Sequence, residues 1–163
     1  HLHSMPKDEI LKVGWSPVGE VPYLRFMHVR VYDSWLHLED CREPLDYEPS
    51  IGGLPAEIAV DEVTTAAGYI IGKKGGAPDG SRVEVLLTGP VEAVILVEVR
   101  DRAKVVDVLE GEPTVSLSMS SHDWLALTGG RKDPVPLIAD GRVCLGGDLD
   151  LSRQLAENLA FTI

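Results

Sequence analysis

The pattern of apolar and polar positions changes part-way along the chain, from a helical period to a strand-like one. From about residue 21 to 42, apolar side chains recur at helical spacing, which predicts a long helix with Pro22 in its first turn. Pro44 ends this pattern and opens a segment rich in turn residues. A second amphipathic stretch predicts another helix over about 55–71.

Beyond residue 80 the apolar residues come in short, β-branched runs that partly alternate with polar residues, a pattern typical of strands. Two to four turn residues separate neighbouring runs. This spacing predicts antiparallel strands that pair in sequence order. The runs are 82–88, 91–99, 103–109 and 114–120.

The two ends of the chain and the segment after these strands have helical features. The start suits a helix with Ser4 as its N-cap. Ser121 and Gly129 are placed to cap a short helix. The stretch "RVCLGGD" predicts a last strand with Cys144 as a small core residue, and Asp148 is the expected N-cap of a final amphipathic helix.

Together these elements predict an α+β fold in two parts. Residues 46–163 form a compact domain, an antiparallel sheet of about five strands packed with helices. Residues 1–45 hold the long helix and its lead-in. A lone helix with an apolar face needs a partner to bury that face. The helix therefore either packs on the domain or belongs to a helical bundle.

Composition and charge narrow the classes of partner. A net charge of −11 argues against nucleic acid, which is bound by clustered lysine and arginine. No run of about 18 apolar residues predicts a membrane span, and the start lacks the layout of a signal peptide. Cys41 and Cys144 lie far apart and form no disulfide framework. We therefore expect a cytoplasmic protein that binds neither nucleic acid nor membrane.

The stretch "YDSWLHLED" in the long helix holds the most specific candidate chemistry. Asp33 and His37 are four residues apart, so both project from one face of the helix and can chelate a divalent ion. Asp40, three residues further on, could orient the imidazole. Two protein ligands fall short of the three in a catalytic zinc site. The spacing equally suits an ordinary ion pair on a solvated helix face.

Other residues give weaker signals. Trp124 and the "GGRK" after it could form the rim of a ligand site, with Arg131 as its cationic anchor. The alternative is Trp124 in the core and Arg131 on the surface. Cys41 lies among acidic residues near a helix end, which disfavours a role as a nucleophile. No nucleophile elbow accompanies the serines.

The helix motif resembles a known family. The stretch "GWSPVGEVPYLRFMHVRVYDSWLHLEDCR" is similar to the closing segment of the DinB-like metal-binding domain in the mycothiol-dependent maleylpyruvate isomerase (MDMPI) family of actinobacteria. The tail from "SSHDWLALTGGRKDP" to "LAFTI" resembles that family's C-terminal domain, which is similar to sterol carrier protein. The helix pattern R-V-x-D-x-W-x-H-x-x-D-x-R is matched by Arg30, Val31, Asp33, Trp35, His37, Asp40 and Arg42.

The resemblance implies a function for these residues. In the family a four-helix bundle holds a divalent metal, usually zinc, which positions and activates the thiol of mycothiol for cis–trans isomerisation of a small-molecule substrate. Asp33 and His37 then correspond to two metal ligands. The third, a histidine from an early helix, is expected upstream of His1. Arg131 is the candidate catalytic residue of the C-terminal domain.

The resemblance also implies that this chain is a C-terminal fragment of a longer enzyme, itself inactive. Two further hypotheses stay open. The C-terminal domain could be a non-catalytic module that holds an apolar ligand between its sheet and its helices. It could also cover the bundle's active site and form a homodimer through the N-terminal helix.

Overall fold

The computed structural model of the chain describes residues 6–16 and 19–162, which form an α+β fold. Its first part holds α1 (Lys7–Ile10), a hairpin of β1 (Val13–Ser16) and β2 (Gly19–Pro22), α2 (Tyr23–Arg42) and a 3-10 turn (Glu43–Leu45). Next come α3 (Leu54–Tyr69), which continues as a π-helical turn (Ile70–Lys74), β3 (Arg82–Thr88), β4 (Ala93–Arg100) and β5 (Arg102–Val106). The chain ends with β6 (Val115–Ser120), α4 (Ser121–Thr128), α5 (Pro134–Ala139), β7 (Cys144–Gly147) and α6 (Leu149–Glu157).

The five-stranded sheet confirms the predicted strand count, but its strand order differs from the prediction. The order is β5-β4-β3-β6-β7, with β3 and β6 parallel and the other pairs antiparallel. Pairing of every strand with its sequence neighbour was therefore wrong. The physical reason is burial. β5 exposes most of its side chains and suits an edge, whereas β3 and β6 both bury alternate residues and continue one apolar face when paired.

Two local predictions need correction. Ser120, not Ser121, caps α4: its Oγ accepts a hydrogen bond of 3.0 Å from Asp123 N. Cys144 is exposed instead of lying in the core, because β7 is an edge strand whose side chains are only partly covered. Asp148 caps α6 as predicted, accepting from Asp150 N and Leu151 N. The predicted cap Ser4 lies outside the described residues.

The core lies between one face of the sheet and helices α3, α4 and α6. It is filled by large side chains that are less than 2% exposed. The helices approach the strands closely: a Cβ on Gly72 would lie 2.5 Å from the Cβ of Ala103 in β5. The fully buried core residues include Ile70, Ile71, Val83, Leu87, Ile95, Leu117, Trp124, Leu125, Leu155 and Leu159.

Helix α2 packs on this domain through one face. Tyr32, Trp35 and Leu36 are buried there, and the Tyr32 ring stacks on Phe161 of the C-terminal segment with centroids 6.3 Å apart. Leu36 fills the space beside Gly129, where an added Cβ would lie 2.7 Å from the leucine Cδ2. The sequence left two ways to bury the apolar face of α2, packing on the domain or membership of a bundle. The structure shows packing on the domain.

No helix among the described residues combines the length and the apolar character needed to cross a bilayer.

Candidate functional site

The two predicted metal ligands lie next to each other on an exposed side of α2. His37 Nε2 is 3.6 Å from Asp33 Oδ1, and His37 Nδ1 is 3.3 Å from Asp40 Oδ2. The His37 side chain is 65% exposed. The imidazole therefore lies between two carboxylates, one beside each ring nitrogen.

Asp40 connects this pair to the domain. Arg131, just after α4, donates from Nε and Nη2 to the two carboxylate oxygens of Asp40, each at 3.2 Å. This hydrogen bonding by Arg131 holds the pKa of Asp40 below its usual value, with a smaller contribution from His37. The third guanidinium nitrogen of Arg131 donates to Gly129 O at 2.6 Å. All three nitrogens of Arg131 are thus engaged, two of them by Asp40.

The donor set partly fits a divalent metal. Two ligands at zinc bond lengths in a tetrahedral site lie about 3.3 Å apart, close to the 3.6 Å between Asp33 Oδ1 and His37 Nε2. Asp40 beside Nδ1 occupies the position that commonly orients a metal-bound histidine. Within residues 6–16 and 19–162, no group of three or more histidine, cysteine or acidic side chains is placed to hold an ion. An ion held by Asp33 and His37 would therefore need a third donor from outside this group, and their role as ligands stays a prediction.

A cleft of about 380 Å³ lies next to this pair, between the C-terminal half of α2 and the domain. Its apolar walls come from Trp35, Leu36, Tyr47, Pro49 and Ala126. Its polar residues are Glu39, Asp40, Arg42, Glu43, Asp46, Glu48, His122, Arg131, Lys132 and Arg142. Asp40 borders both the cleft and His37. The volume is within the usual range for small-molecule sites.

Many of the charged groups around the cleft are paired. Lys132 forms an ion pair with Glu43, and Arg142 pairs with the buried carboxylate of Asp123 while its own side chain stays half exposed. Arg42 donates to the carbonyl of Glu48 and so holds the segment after α2 against the helix. The cleft therefore presents cations on the domain side without a large excess of either charge.

His122 and Glu39 meet inside the cleft although they lie 83 positions apart. His122 Nε2 is 3.2 Å from Glu39 Oε2, and the imidazole packs edge-on against Trp35 with centroids 5.6 Å apart. Ser50 N donates to the other carboxylate oxygen of Glu39 at 2.9 Å. Sequence reasoning missed this pair because His122 comes from the far domain and no local pattern links it to α2.

Of the two residues proposed for a ligand rim, only Arg131 borders the cleft. Trp124 is fully buried, which confirms the alternative of a core residue. Arg131 is about one quarter exposed and reaches the cleft through its pairing with Asp40. Its catalytic role stays a prediction.

A different side of α2 is apolar and open. Leu24 and Leu38 are exposed there, and a shallow groove of about 420 Å³ runs past Met27, Val31 and Leu38. The groove also includes Trp35, Ser50 and Pro55, so it borders the face of α2 that packs on the domain.

Comparisons with known proteins found similar solved structures and one matching family. Similar solved structures include sterol carrier protein 2-like 2 from Aedes aegypti, with 18% identity and a TM-score of 0.46 over 63% of this chain and 94% of that one. A second is sterol carrier protein domain 2 of Helicoverpa armigera, with 17% identity and a TM-score of 0.45 over 64% and 94%. A third is a UbiJ-SCP2 ubiquinone synthesis protein, with 16% identity and a TM-score of 0.43 over 58% and 92%. No curated protein matches the chain significantly.

The profile of the MDMPI C-terminal domain matches residues 57–153, more than half of the chain. This range begins after α2, so the DinB-like character of α2 and its metal ligands stay predictions. The predicted resemblance of the C-terminal domain is confirmed, and the chain belongs to the MDMPI C-terminal domain family.

Proposed function

We propose that this chain is the C-terminal part of a metal- and mycothiol-dependent enzyme of the maleylpyruvate isomerase type. The reaction would be thiol addition with cis–trans isomerisation, or thiol transfer. The observation that carries the proposal is the connected series Asp33–His37–Asp40–Arg131, in which the two candidate ligands on α2 are tied to the family domain. Belonging to the family supports the same reaction class.

Asp33 and His37 would hold the ion, with a third ligand from another helix. Asp40 would keep the imidazole in place through Nδ1, because its carboxylate is itself fixed by two hydrogen bonds from Arg131. A bound divalent ion, most simply zinc, keeps a coordinated thiol in its thiolate form at neutral pH.

The cleft would bind the small-molecule substrate beside this site. Trp35 and Tyr47 offer apolar contact. Arg142, with a side chain that is 50% exposed, is the most exposed cation of the cleft. Arg131 would act chiefly as fixed positive charge in the wall, since its nitrogens already donate to Asp40 and Gly129. The cations on the domain side suit a substrate with a negative charge.

The test is metal binding by the two ligands, in the full protein that carries this chain. Zinc content and thiol-dependent isomerisation of maleylpyruvate are compared between wild type, His37→Ala and Asp33→Asn. We expect both variants to lose bound zinc and activity. His28→Ala is the matched control, a histidine on the same helix, and should keep both. Unchanged zinc content in His37→Ala would falsify the proposal.

A second candidate is a non-catalytic role as a module that forms a homodimer through α2. The open apolar surface at Leu24 and Leu38 favours it. Sedimentation of the 163-residue chain, compared with Leu38→Glu, is the test. A concentration-dependent dimer that the substitution abolishes supports it, and a monomer at all concentrations contradicts it.

The third idea is an apolar ligand between sheet and helices. The centre of that space is filled by side chains, and an open groove of about 890 Å³ lies only at its edge, between the end of α3 and β5. Such a ligand would have to displace side chains that are now closely packed, and each displaced contact costs stability. A fluorescent fatty acid titrated into the chain should therefore show no saturable binding.

A further inference from the structure

The pairing of His122 with Glu39 has no part in the metal site, yet it lies in the wall of the cleft. The two residues come from α4 and α2, so the pair exists only when the helix is docked on the domain. We propose that His122 is a general base and acid for a molecule bound in this cleft, and that Glu39 is its positioning residue. The proposal deepens the proposed function, on whose thiol chemistry the reaction step below rests.

The hydrogen bonding around the imidazole fixes which nitrogen is free. A carboxylate only accepts hydrogen bonds, so the contact between Glu39 Oε2 and His122 Nε2 places a proton on Nε2. In the neutral ring, Nδ1 then carries the lone pair. No described residue donates to or accepts from Nδ1. His122 therefore presents a proton acceptor while Glu39 stands ready to stabilise the imidazolium.

Glu39 is held firmly enough to fix the ring. Its side chain is 14% exposed, and Ser50 N donates to its second oxygen at 2.9 Å. Trp35 packs edge-on against the imidazole and donates through Nε1 to Ser50 O at 3.0 Å. The carboxylate and the indole thus both contact the ring, and the backbone of Ser50 hydrogen-bonds to each of them. This arrangement, a base oriented by a carboxylate, is typical of proton-transfer sites.

The charges near the ring come from both sides of the cleft. Arg42 lies 3.9 Å from Glu39 on α2, and Arg131 and Arg142 border the cleft on the domain side, each with an acidic partner. Glu39 is the acidic group in direct contact with the imidazole, through Oε2. Its other oxygen, Oε1, lies 3.9 Å from Arg42 Nε, so the carboxylate is shared between His122 and a more distant cation.

The step for a thiol and a conjugated cis alkene balances as follows. As the thiol binds, Nδ1 takes its S–H proton. The electron pair of the resulting thiolate then forms a C–S bond while the alkene electrons move to the conjugated carbonyl oxygen. The former double bond rotates. The electrons then return, the C–S bond breaks, and the imidazolium gives its proton back to the departing thiolate. Thiol and base are regenerated and the alkene is trans.

A probe that needs neither metal nor thiol separates this proposal from the proposed function. With 5-nitrobenzisoxazole, a base removes the ring C–H proton, the electron pair forms a nitrile, and the N–O bond breaks to give a coloured phenolate. We expect the intact chain to exceed its His122→Gln variant by about 100-fold, the contribution of a positioned general base. His28→Gln, on α2 outside the cleft, should match wild type.

Two measurements test Glu39: the tautomer of His122 and the rate of the Glu39→Asp variant. Neither should change as described below if Glu39 has only a structural role. In the nitrogen spectrum of ¹⁵N-histidine-labelled protein, His122 should show Nδ1 unprotonated, and Glu39→Gln should change that tautomer. Glu39→Asp should recover part of the rate lost in Glu39→Gln.

Equal rates for wild type and His122→Gln, or a proton on Nδ1 in wild type, overturn the proposal whether or not the variants are fully stable. Loss of zinc-dependent activity without loss of this rate would instead count against the metal chemistry alone.

Discussion

Arg131 donates two hydrogen bonds to Asp40, a residue 91 positions earlier, and thereby joins the family domain to the helix that carries the candidate ligands. The pair lies at the cleft, and Asp40 also contacts His37. The sequence made Arg131 a catalytic candidate. In the structure its pairing with Asp40 also gives it a structural role, which does not depend on catalysis.

Removing the carboxylate charge should weaken docking in a pH-dependent way. The pKa of Asp40 is lowered in the folded state, mainly by hydrogen bonding from Arg131. Its stabilisation is therefore present above the unfolded value, about 3.9, and is lost as the pH falls through the lower folded value. We expect Asp40→Asn to lower stability by about 0.5–1 kcal/mol at pH 7, as for partly exposed ion pairs.

Thermal unfolding of wild type and Asp40→Asn at pH 7 and at about pH 3 checks this. The gap in melting temperature should narrow at the lower pH. A difference in melting temperature that is larger at about pH 3 than at pH 7 would contradict a stabilising Asp40 carboxylate with a lowered pKa.

Two leucines on α2 provide a matched pair for testing which face docks. Leu36 is 5% exposed and Leu38 is 44% exposed. Leu36→Ala should cost about 2–4 kcal/mol, since it removes buried methyl groups and leaves a cavity. Leu38→Ala should cost less than about 1 kcal/mol. Chemical denaturation measures both, and equal losses would show that the docked face is misassigned.

Gly129 leaves room for Leu36, so a methyl group there should be destabilising. The added Cβ would lie 2.7 Å from Leu36 Cδ2 and 3.0 Å from Leu125 O. We expect Gly129→Ala to cost about 1–3 kcal/mol, in the range of overpacked cores. In a Leu36→Ala background the cost should fall, because one of the two clashes is gone. Strict additivity in this double-mutant cycle would argue against the contact.

The two cysteines should react readily in the folded protein. Cys41 and Cys144 are exposed, and Cys144 Sγ has only a weak contact of 3.4 Å with Gly141 O. We expect both thiols to react with Ellman's reagent without denaturant. Cys144→Ser should change stability by less than about 0.5 kcal/mol. Reaction of Cys144 only after unfolding would restore the core position that the sequence predicted.

The sequence predicted the elements better than their partners. Helix α2 begins one residue after Pro22 and α3 begins one residue before Pro55, because proline and apolar period are local signals. The parallel pairing of β3 with β6 was missed, since hairpin spacing describes only neighbours in sequence. Its cause, the exposed side chains of β5, depends on which faces the helices cover.

For the candidate site, too, local contacts could be predicted from the sequence and long-range contacts could not. The pairing of His37 with both Asp33 and Asp40 could be predicted, because all three lie on one helix and spacing determines which side chains meet. The contacts of Glu39 with His122 and of Asp40 with Arg131 could not, because each joins two elements whose docking is a property of the whole fold.

The parallel pairing of β3 and β6 also has a consequence for synthesis of the chain. β4 and β5 emerge first and add to one side of β3, while its other side stays unpaired until β6 arrives. A nascent chain that stops short of Val115 therefore presents an open strand edge with apolar residues, a template for aggregation. Truncation within 107–114 should therefore yield insoluble product.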